Sequence, residues 1–165
     1  MYRYLRDLGQ MKLEELLRAH DFTKGLAQSQ IATLAALATE VHFDEGQLLL
    51  FGGGLAEYLY LLISGSVAVE LTAPQLTLTV QVIGPGQAFG WSGVLEDQHS
   101  FFQARARESV SALRIRGSAL AQRCRADGRL ASELMLRTLQ LAADQVKATE
   151  ARFAEMCIRR QFGPH

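Results

Sequence analysis

The residues best suited to chemistry lie in one stretch, "GPGQAFGWSGVLEDQHSFF", which runs from Gly84 to Phe102. Gly90 and Gly93 let a backbone approach a ligand closely, and the turn between them could open a short helix. The first N–H groups of such a helix point at an anion. Trp91 adds aromatic surface. The stretch therefore indicates a pocket for a small ligand, with N–H groups of Gly90 and Gly93 facing an anion.

Two other kinds of chemistry have weaker support in the sequence. Ser92 in "GWSGV" resembles the G-x-S-x-G nucleophile motif, but that motif needs a strand-to-helix turn in a parallel α/β sheet. No βαβ alternation is present, so we interpret Ser92 as a loop residue and expect no enzyme activity. Metal ligation needs clustered side chains, and the histidines are scattered without ligand spacing, which predicts no metal site. They are His20, His42, His99 and His165.

The composition narrows the function classes further. Lys plus Arg and Asp plus Glu both number 17, and this balance argues against a general nucleic-acid binder. The two cysteines, Cys124 and Cys157, have no zinc-ligand spacing and indicate reduced thiols. The charged N-terminus is not a signal peptide, and no apolar run is long enough to span a membrane. We therefore expect a cytoplasmic protein with no membrane partner.

The elements that position these residues follow from periodicity. Helical spacing predicts helices over residues 2–20 and 29–39, the second capped by Ser29. Short β-rich runs between glycine turns fill 41–116 and are typical of an antiparallel sandwich or barrel. A short helix near 118–125, stopped by Gly128, and a long helix near 129–159 follow. We thus expect N-terminal helices (1–40), a barrel (41–116), a helix pair (117–160) and a tail (161–165), a mainly β fold with flanking α.

A heptad-like seam marks the long helix. Its members alternate spacings of three and four: Leu139, Ala142, Val146, Thr149, Phe153 and Met156. The stripe could pack on the chain's own barrel or on a partner helix. A helix of about 30 residues is near 45 Å long, which outreaches a small barrel. We therefore predict a homodimer formed through this helix.

The order of elements and three segments resemble the cyclic-nucleotide-binding domain of the catabolite activator protein family. The segments are "FDEGQLLLFGGGLAEYLYLLISGSVAVEL", "VIGPGQAFGWSGVL" and "ARARESVSALRI". The resemblance covers roughly residues 20–157 and implies an antiparallel jelly-roll, or double-stranded β-helix. The "GWS" variant also resembles a bacterial subgroup of such domains that carries tryptophan and serine after the cassette glycine.

The resemblance implies how a ligand phosphate is usually held, and the chain departs from that pattern. In the family, a glutamate after the cassette glycine takes the ribose and an arginine pairs with the phosphate. Here Trp91 stands at the glutamate position and Ser100 at the arginine position, in a loop about one residue short. Arg105 and Arg107 lie nearby as strand residues, and the sequence does not give their direction.

Ten residues form the predicted pocket. They are Phe89, Gly90, Trp91, Ser92, Gly93, His99, Ser100, Phe101, Phe102 and Gln145. Gln145 is included because it matches, on the long helix, the position from which related domains contact the ligand base. Its alternative role is that of a solvated helix residue.

Two functional hypotheses follow. The first is a non-enzymatic regulatory module that does not bind cAMP tightly by the usual contacts and senses another small anionic or nucleotide ligand. The alternative is a degenerate domain, its pocket filled by Trp91, Phe101 and Phe102, that acts in protein interaction or assembly. No helix-turn-helix follows the long helix in this sequence, so neither hypothesis includes direct DNA binding.

Overall fold

The computed structural model describes residues 2–95 and 98–162, with side chains described over 9–95 and 98–158. The helices are α1 (Tyr2–Ala19), α2 (Gln28–Leu37), α3 (Gly117–Ala126) and α4 (Gly128–Phe162), with short 3-10 helices at Asp21–Thr23 and Trp91–Val94. The strands are β1 (Ala38–Phe43), β2 (Leu48–Leu50), β3 (Tyr58–Ser64), β4 (Val67–Ala73), β5 (Leu76–Ile83), β6 (Ala88–Phe89), β7 (Phe102–Ala106) and β8 (Val110–Arg116).

The strands form two antiparallel four-stranded sheets. One has the order β1-β8-β3-β6 and the other the order β2-β7-β4-β5. Most neighbouring strands are distant in sequence, as in a jelly-roll, whereas β4 and β5 are consecutive and pair as a hairpin. The expected fold, with N-terminal helices and one long C-terminal helix, is confirmed. None of the described helices is long and apolar enough to cross a membrane.

Two hydrophobic layers meet at the first sheet. Inside the barrel, Leu62 and Ala112 pack with residues of the second sheet such as Ala104. On the other face of the same strands, Leu61 and Leu113 pack against the helices. Both faces of β3 are therefore buried, which explains why the run "YLYLLI" is apolar throughout rather than alternating.

Three predicted boundaries differ from the structure. Helix α2 is capped at Ala27 rather than Ser29, and the amide oxygen of Gln30 accepts from the Ala27 N–H at 2.9 Å. Gly128 does not stop α3 but begins α4, because the Asp127 carboxylate accepts from the N–H groups of the next turn at 3.0 Å. The barrel begins at Ala38, three residues earlier than expected.

Helix α4 lies across the barrel with one face and presents apolar residues on the other. Leu134 of α4 is buried, and the Arg152 Nε donates to the Thr79 carbonyl of β5 at 3.0 Å. Leu139, Val146 and Phe153 of the predicted seam are 64%, 54% and 67% exposed. The other three seam residues, Ala142, Thr149 and Met156, are half-buried.

The C-terminal boundary also differs. Helix α4 continues to Phe162, so residues 161 and 162 of the predicted tail are helical. Residues 163–165, which include His165, lie outside the described residues.

Candidate ligand-binding site

A cavity of about 150 Å³ lies between the inner faces of the two sheets, beneath α4. Nine of the ten predicted pocket residues line it, all except Gly93. The remaining lining residues are Leu50, Val69, Gln98 and Ala104. The structure therefore brings the cassette, β7 and α4 to one place.

The cassette turn is shaped by a glycine with a left-handed backbone. Gly90 has φ +80° and caps the 3-10 helix Trp91–Val94. A Cβ at Gly90 would lie 2.6 Å from the Tyr58 carbonyl oxygen. Any side chain at this position would strain the backbone and collide with β3.

Gly93 allows close packing of the backbone and does not line the cavity. Its N–H donates to the Gly90 carbonyl at 2.9 Å, so this group does not face an anion as we expected. A Cβ at Gly93 would meet the Tyr58 backbone at 2.8 Å. A Cβ at Gly117, in turn, would lie only 1.4 Å from the Gly93 carbonyl oxygen. Two glycines thus let the cassette, β3 and the start of α3 touch backbone to backbone.

Trp91 connects the cassette to the long helix. Its indole Nε1 donates to the Gln145 amide oxygen at 2.8 Å, and both side chains are half-buried. Two further hollows, of about 290 and 200 Å³, are also lined in part by this pair. Gln145 is therefore half-buried and hydrogen-bonded to the cassette, and the Trp91 indole borders all three spaces.

Ser100 stabilises its own loop. Its side chain is buried, and the hydroxyl donates to the Phe102 carbonyl at 2.7 Å while accepting from the Phe102 N–H at 3.3 Å. Its backbone pairs with the Gly53 N–H at 2.7 Å and the Gly54 carbonyl at 3.0 Å. The hydroxyl at the expected arginine position is thus already engaged within the protein.

The aromatic residues divide between the floor and the mouth of the cavity. Phe89 is buried and stacks on Tyr60, with ring centroids 5.0 Å apart. Tyr60 donates its hydroxyl to the Leu49 carbonyl at 2.9 Å, and burial raises the pKa of this phenol. Phe101 is 80% exposed, so it does not fill the cavity as the alternative hypothesis assumed.

The nearby arginines point away from the cavity. Strand β7 alternates, with Ala104 and Ala106 facing the barrel core and Arg105 facing outward. Arg105 pairs with the Glu70 carboxylate at 3.3 Å and donates to the Gly46 carbonyl at 2.9 Å. Arg107 is exposed in the turn after β7. Among the described residues that line the cavity, none is an Asp, Glu, Lys or Arg.

The histidines have separate environments. His99 is exposed at the cavity rim, whereas His20 is buried between α1 and the barrel. Burial lowers the pKa of His20, against the opposing effect of its contact with the Leu62 carbonyl at 3.2 Å. Its Nδ1 accepts from the Phe22 N–H at 3.2 Å, which assigns the proton to Nε2. Within the described residues, no cluster of three His, Cys, Asp or Glu side chains could hold a metal ion.

Four lining residues were not singled out by the sequence: Leu50, Val69 and Ala104 lie on β2, β4 and β7, and Gln98 lies in the loop beside His99. Val69 and Ala104 face each other across the β4–β7 pairing. Period-two alternation on "VAVEL" and "QARA" could have placed both on the inner face of the sheet. The pairing that brings these two strands side by side has no local sequence signal.

The chain is similar to known proteins over most of its length. Residues 40–127 match the model of the cyclic nucleotide-binding domain family. A candidate cyclic nucleotide-binding protein from Geobacter metallireducens is 25% identical, with a TM-score of 0.71, covering 81% of this chain and 97% of that chain. A cyclic nucleotide-binding domain from Methylobacillus flagellatus is 18% identical, with a TM-score of 0.73, covering 89% and 83%.

A more distant fold match comes from a eukaryote. The regulatory domain of Toxoplasma gondii PKA, crystallised with cAMP, is 21% identical with a TM-score of 0.59, covering 67% of this chain and 42% of that chain. No curated relative matches the chain.

Proposed function

The chain belongs to the cyclic nucleotide-binding domain family, and from this premise we propose that it is a non-enzymatic regulatory module that senses a small ligand other than cAMP. The ligand occupies the cavity beneath α4, beside Trp91. The signal is a change in how α4 packs on the barrel. The observation that carries the proposal is a formed cavity whose described lining has no charged side chain.

The missing charges bear directly on cAMP affinity. A hydrogen bond to a charged group contributes about 1.5–3 kcal/mol. Losing both the glutamate and the arginine contacts would weaken binding on the order of 100-fold to 10,000-fold, at about tenfold per 1.4 kcal/mol. Neither candidate replacement supplies the charge, because Arg105 is paired with Glu70 and the Ser100 hydroxyl is engaged by Phe102. Tight binding of cAMP by the usual contacts is therefore not expected.

The size and lining of the cavity favour a compact, planar ligand. A volume of about 150 Å³ is below the roughly 300–1,000 Å³ typical of drug-sized ligands. Trp91 and Phe102 offer ring faces, and Ser92 and Gln98 offer polar groups at the wall. A nucleotide-sized ligand would require Trp91 to move into one of the two neighbouring hollows.

The hydrogen bond between Trp91 and Gln145 supports a route from ligand to helix. A ligand that displaces the indole breaks the 2.8 Å contact and frees this part of α4. A ligand can shift a two-state equilibrium only by its differential affinity for the two states. The two states proposed here differ in whether the Trp91 indole or the ligand occupies the space beside Gln145.

The single tryptophan of the chain makes the proposal testable, because its fluorescence reports on the cavity. The wild-type protein is titrated with cAMP, cGMP, cyclic dinucleotides and a panel of small planar anions, and binding is confirmed by calorimetry. We expect one or more of the small compounds, and not cAMP, to change Trp91 emission saturably. Micromolar cAMP binding that persists unchanged in Trp91→Ala and Ser100→Ala would refute this account of the cassette.

The exposed face of α4 supports a homodimer. Leu139, Val146 and Phe153 project from one side of the helix, away from the barrel. Val146→Asp and Phe153→Asp should convert the dimer to a monomer in sedimentation. Lys147→Asp, on the exposed surface of the same helix, is the matched control and should leave the dimer intact. A wild-type monomer, or a dimer that all three variants retain, would rule out this interface.

A second candidate function is assembly without any ligand. The Trp91–Gln145 hydrogen bond and the exposed stripe on α4 favour this function as well. Trp91 already satisfies Gln145, and the α4 stripe is free to pair. In that case the dimer forms and no compound in the panel changes Trp91 emission. The two functions are thus separated by the fluorescence titration alone.

A further inference from the structure

At the start of β3, two guanidinium groups lie against the ring of one tyrosine. The Cζ atoms of Arg114 and Arg116 are 4.7 and 4.9 Å from the centroid of the Tyr58 ring. Arg116 also donates from Nη2 to the Tyr58 hydroxyl at 2.6 Å. These three residues form what we term the tyrosine–arginine cluster.

The register of the first sheet builds this cluster. Tyr58 lies opposite Arg116, and Tyr60 lies opposite Arg114. Because side chains on a strand alternate, Arg114 and Arg116 share the face of β8 whose earlier member, Ala112, lies in the barrel core. The run "SALRIR" thus places two cations at the end of an otherwise apolar inner face.

The positive charge of the cluster is only half compensated. Glu57 pairs with Arg116 at 3.2 Å, and both side chains are about half exposed, at 49% and 52%. Arg114 is half-buried and has no carboxylate within ion-pair distance among the described residues. Removing a cation from water is unfavourable unless an anion or hydrogen-bond acceptors replace the water. The ring face of Tyr58 supplies part of that replacement.

We propose that the tyrosine–arginine cluster is a binding site for an oxyanion, a phosphate or carboxylate group held by Arg114 and Arg116. A guanidinium presents a planar fork of N–H donors that matches two oxygens of such a group. The chain as a whole is neutral, so this is a local excess of positive charge rather than a general one. Glu57 and the bound anion together would then balance the charges of both guanidinium groups.

The site is distinct from the cavity beneath α4 and does not depend on the proposed function. Across the first sheet, Tyr60 pairs with Arg114 on one side and with Phe89, the floor of the cavity, on the other. The Tyr60–Phe89 stack therefore separates the two sites. Failure of one proposal would leave the other standing, because they have no lining residue in common.

The test is a titration of the ¹⁵N-labelled protein with inorganic phosphate, followed through backbone amide and arginine Nε–H signals. We expect saturable shifts at Arg114 and Arg116, weakened by about tenfold or more in Arg114→Met, the loss of one charge-assisted pair. Arg107→Met is the matched control, since Arg107 is an exposed arginine in the turn at the opposite end of β8. It should bind phosphate as the wild type does.

A second titration with a tetraglutamate peptide identifies the source of the oxyanion. Phosphate binding that depends on Arg114 indicates a free phosphate-bearing ligand, and dependence for the peptide alone indicates a partner protein's carboxylates. Equal binding of both probes to Arg114→Met and Arg107→Met, or no saturable shift with either, overturns the proposal and leaves the arginines as supports for Tyr58. If Arg114→Met does not fold, the half-exposed Arg116→Met serves in the same comparison.

Discussion

The hydrogen bond between Trp91 and Gln145 is the contact whose loss should be most informative. Gln145→Leu removes the acceptor of the indole N–H and keeps a side chain of similar length on α4. Leaving a buried donor unsatisfied costs about 1–3 kcal/mol. Trp91 is only half-buried and borders two open hollows, so water can replace part of the bond. We therefore expect a smaller loss of about 0.5–1.5 kcal/mol, the net contribution of a typical intramolecular hydrogen bond.

The assay is thermal unfolding by circular dichroism together with Trp91 emission. For a chain of this length, 1 kcal/mol corresponds to about 2–4 °C in Tm, so the expected decrease is roughly 1–6 °C. The emission should shift to the red as the indole gains water. Gln140→Leu is the matched control, because Gln140 is an exposed glutamine on α4 whose amide donates to Asp144 and does not contact Trp91 through a hydrogen bond.

A double-mutant cycle separates the bond from the side effects of leucine. Trp91→Phe keeps an aromatic ring without the N–H, and the coupling between Trp91→Phe and Gln145→Leu should be about 0.5–1.5 kcal/mol. A coupling of zero, or the same Tm and emission for Gln145→Leu and Gln140→Leu, would contradict this role of the hydrogen bond. The single bond would then not hold α4 to the cassette.

Two further predictions concern stability. Gly117→Ala should destabilise the fold by about 3 kcal/mol or more, since its Cβ would lie 1.4 Å from the Gly93 backbone oxygen. Gly9 in α1 has open space around it, so Gly9→Ala should be neutral or stabilising. Chemical denaturation measures both effects. Because burial lowers the folded-state pKa of His20, the unfolded chain takes up the proton first, so stability is complete above pH 6.5 and falls as the pH decreases below it. His20→Asn should flatten this part of the stability profile measured by denaturant titration, and an unchanged slope would show that His20 is not the group responsible.

Much of the fold was predictable because its signals are local. Glycine turns between short apolar runs predict an antiparallel barrel, and helical periodicity places the helices within a few residues. The errors arose where a nearby side chain decided a boundary. The Asp127 carboxylate caps α4 and makes Gly128 a helix start, although glycine after a helix commonly marks its end.

The residues that line the cavity were largely predictable from the sequence, whereas the directions of their side chains were not. Cassette residues adjacent in sequence remain adjacent in space, so nine of the ten candidates line the cavity. The direction of each group was not available from the sequence. Phe101 turns outward and Arg105 turns to Glu70, because those orientations depend on strand register and on partners more than thirty residues away.

Tyr58 supports both proposed sites, its backbone on one side and its ring on the other. Its carbonyl lies where Gly90 and Gly93 have no room for a Cβ, and its ring contacts the guanidinium groups of Arg114 and Arg116. A small displacement of this one residue would therefore be felt at the cassette and at the arginines together. Thermodynamic linkage then makes the effect reciprocal: an oxyanion that alters the affinity of the cavity ligand by some factor has its own affinity altered by the same factor. The protein would then respond to both ligands together through Tyr58, whose backbone packs on the cassette and whose ring contacts the arginines.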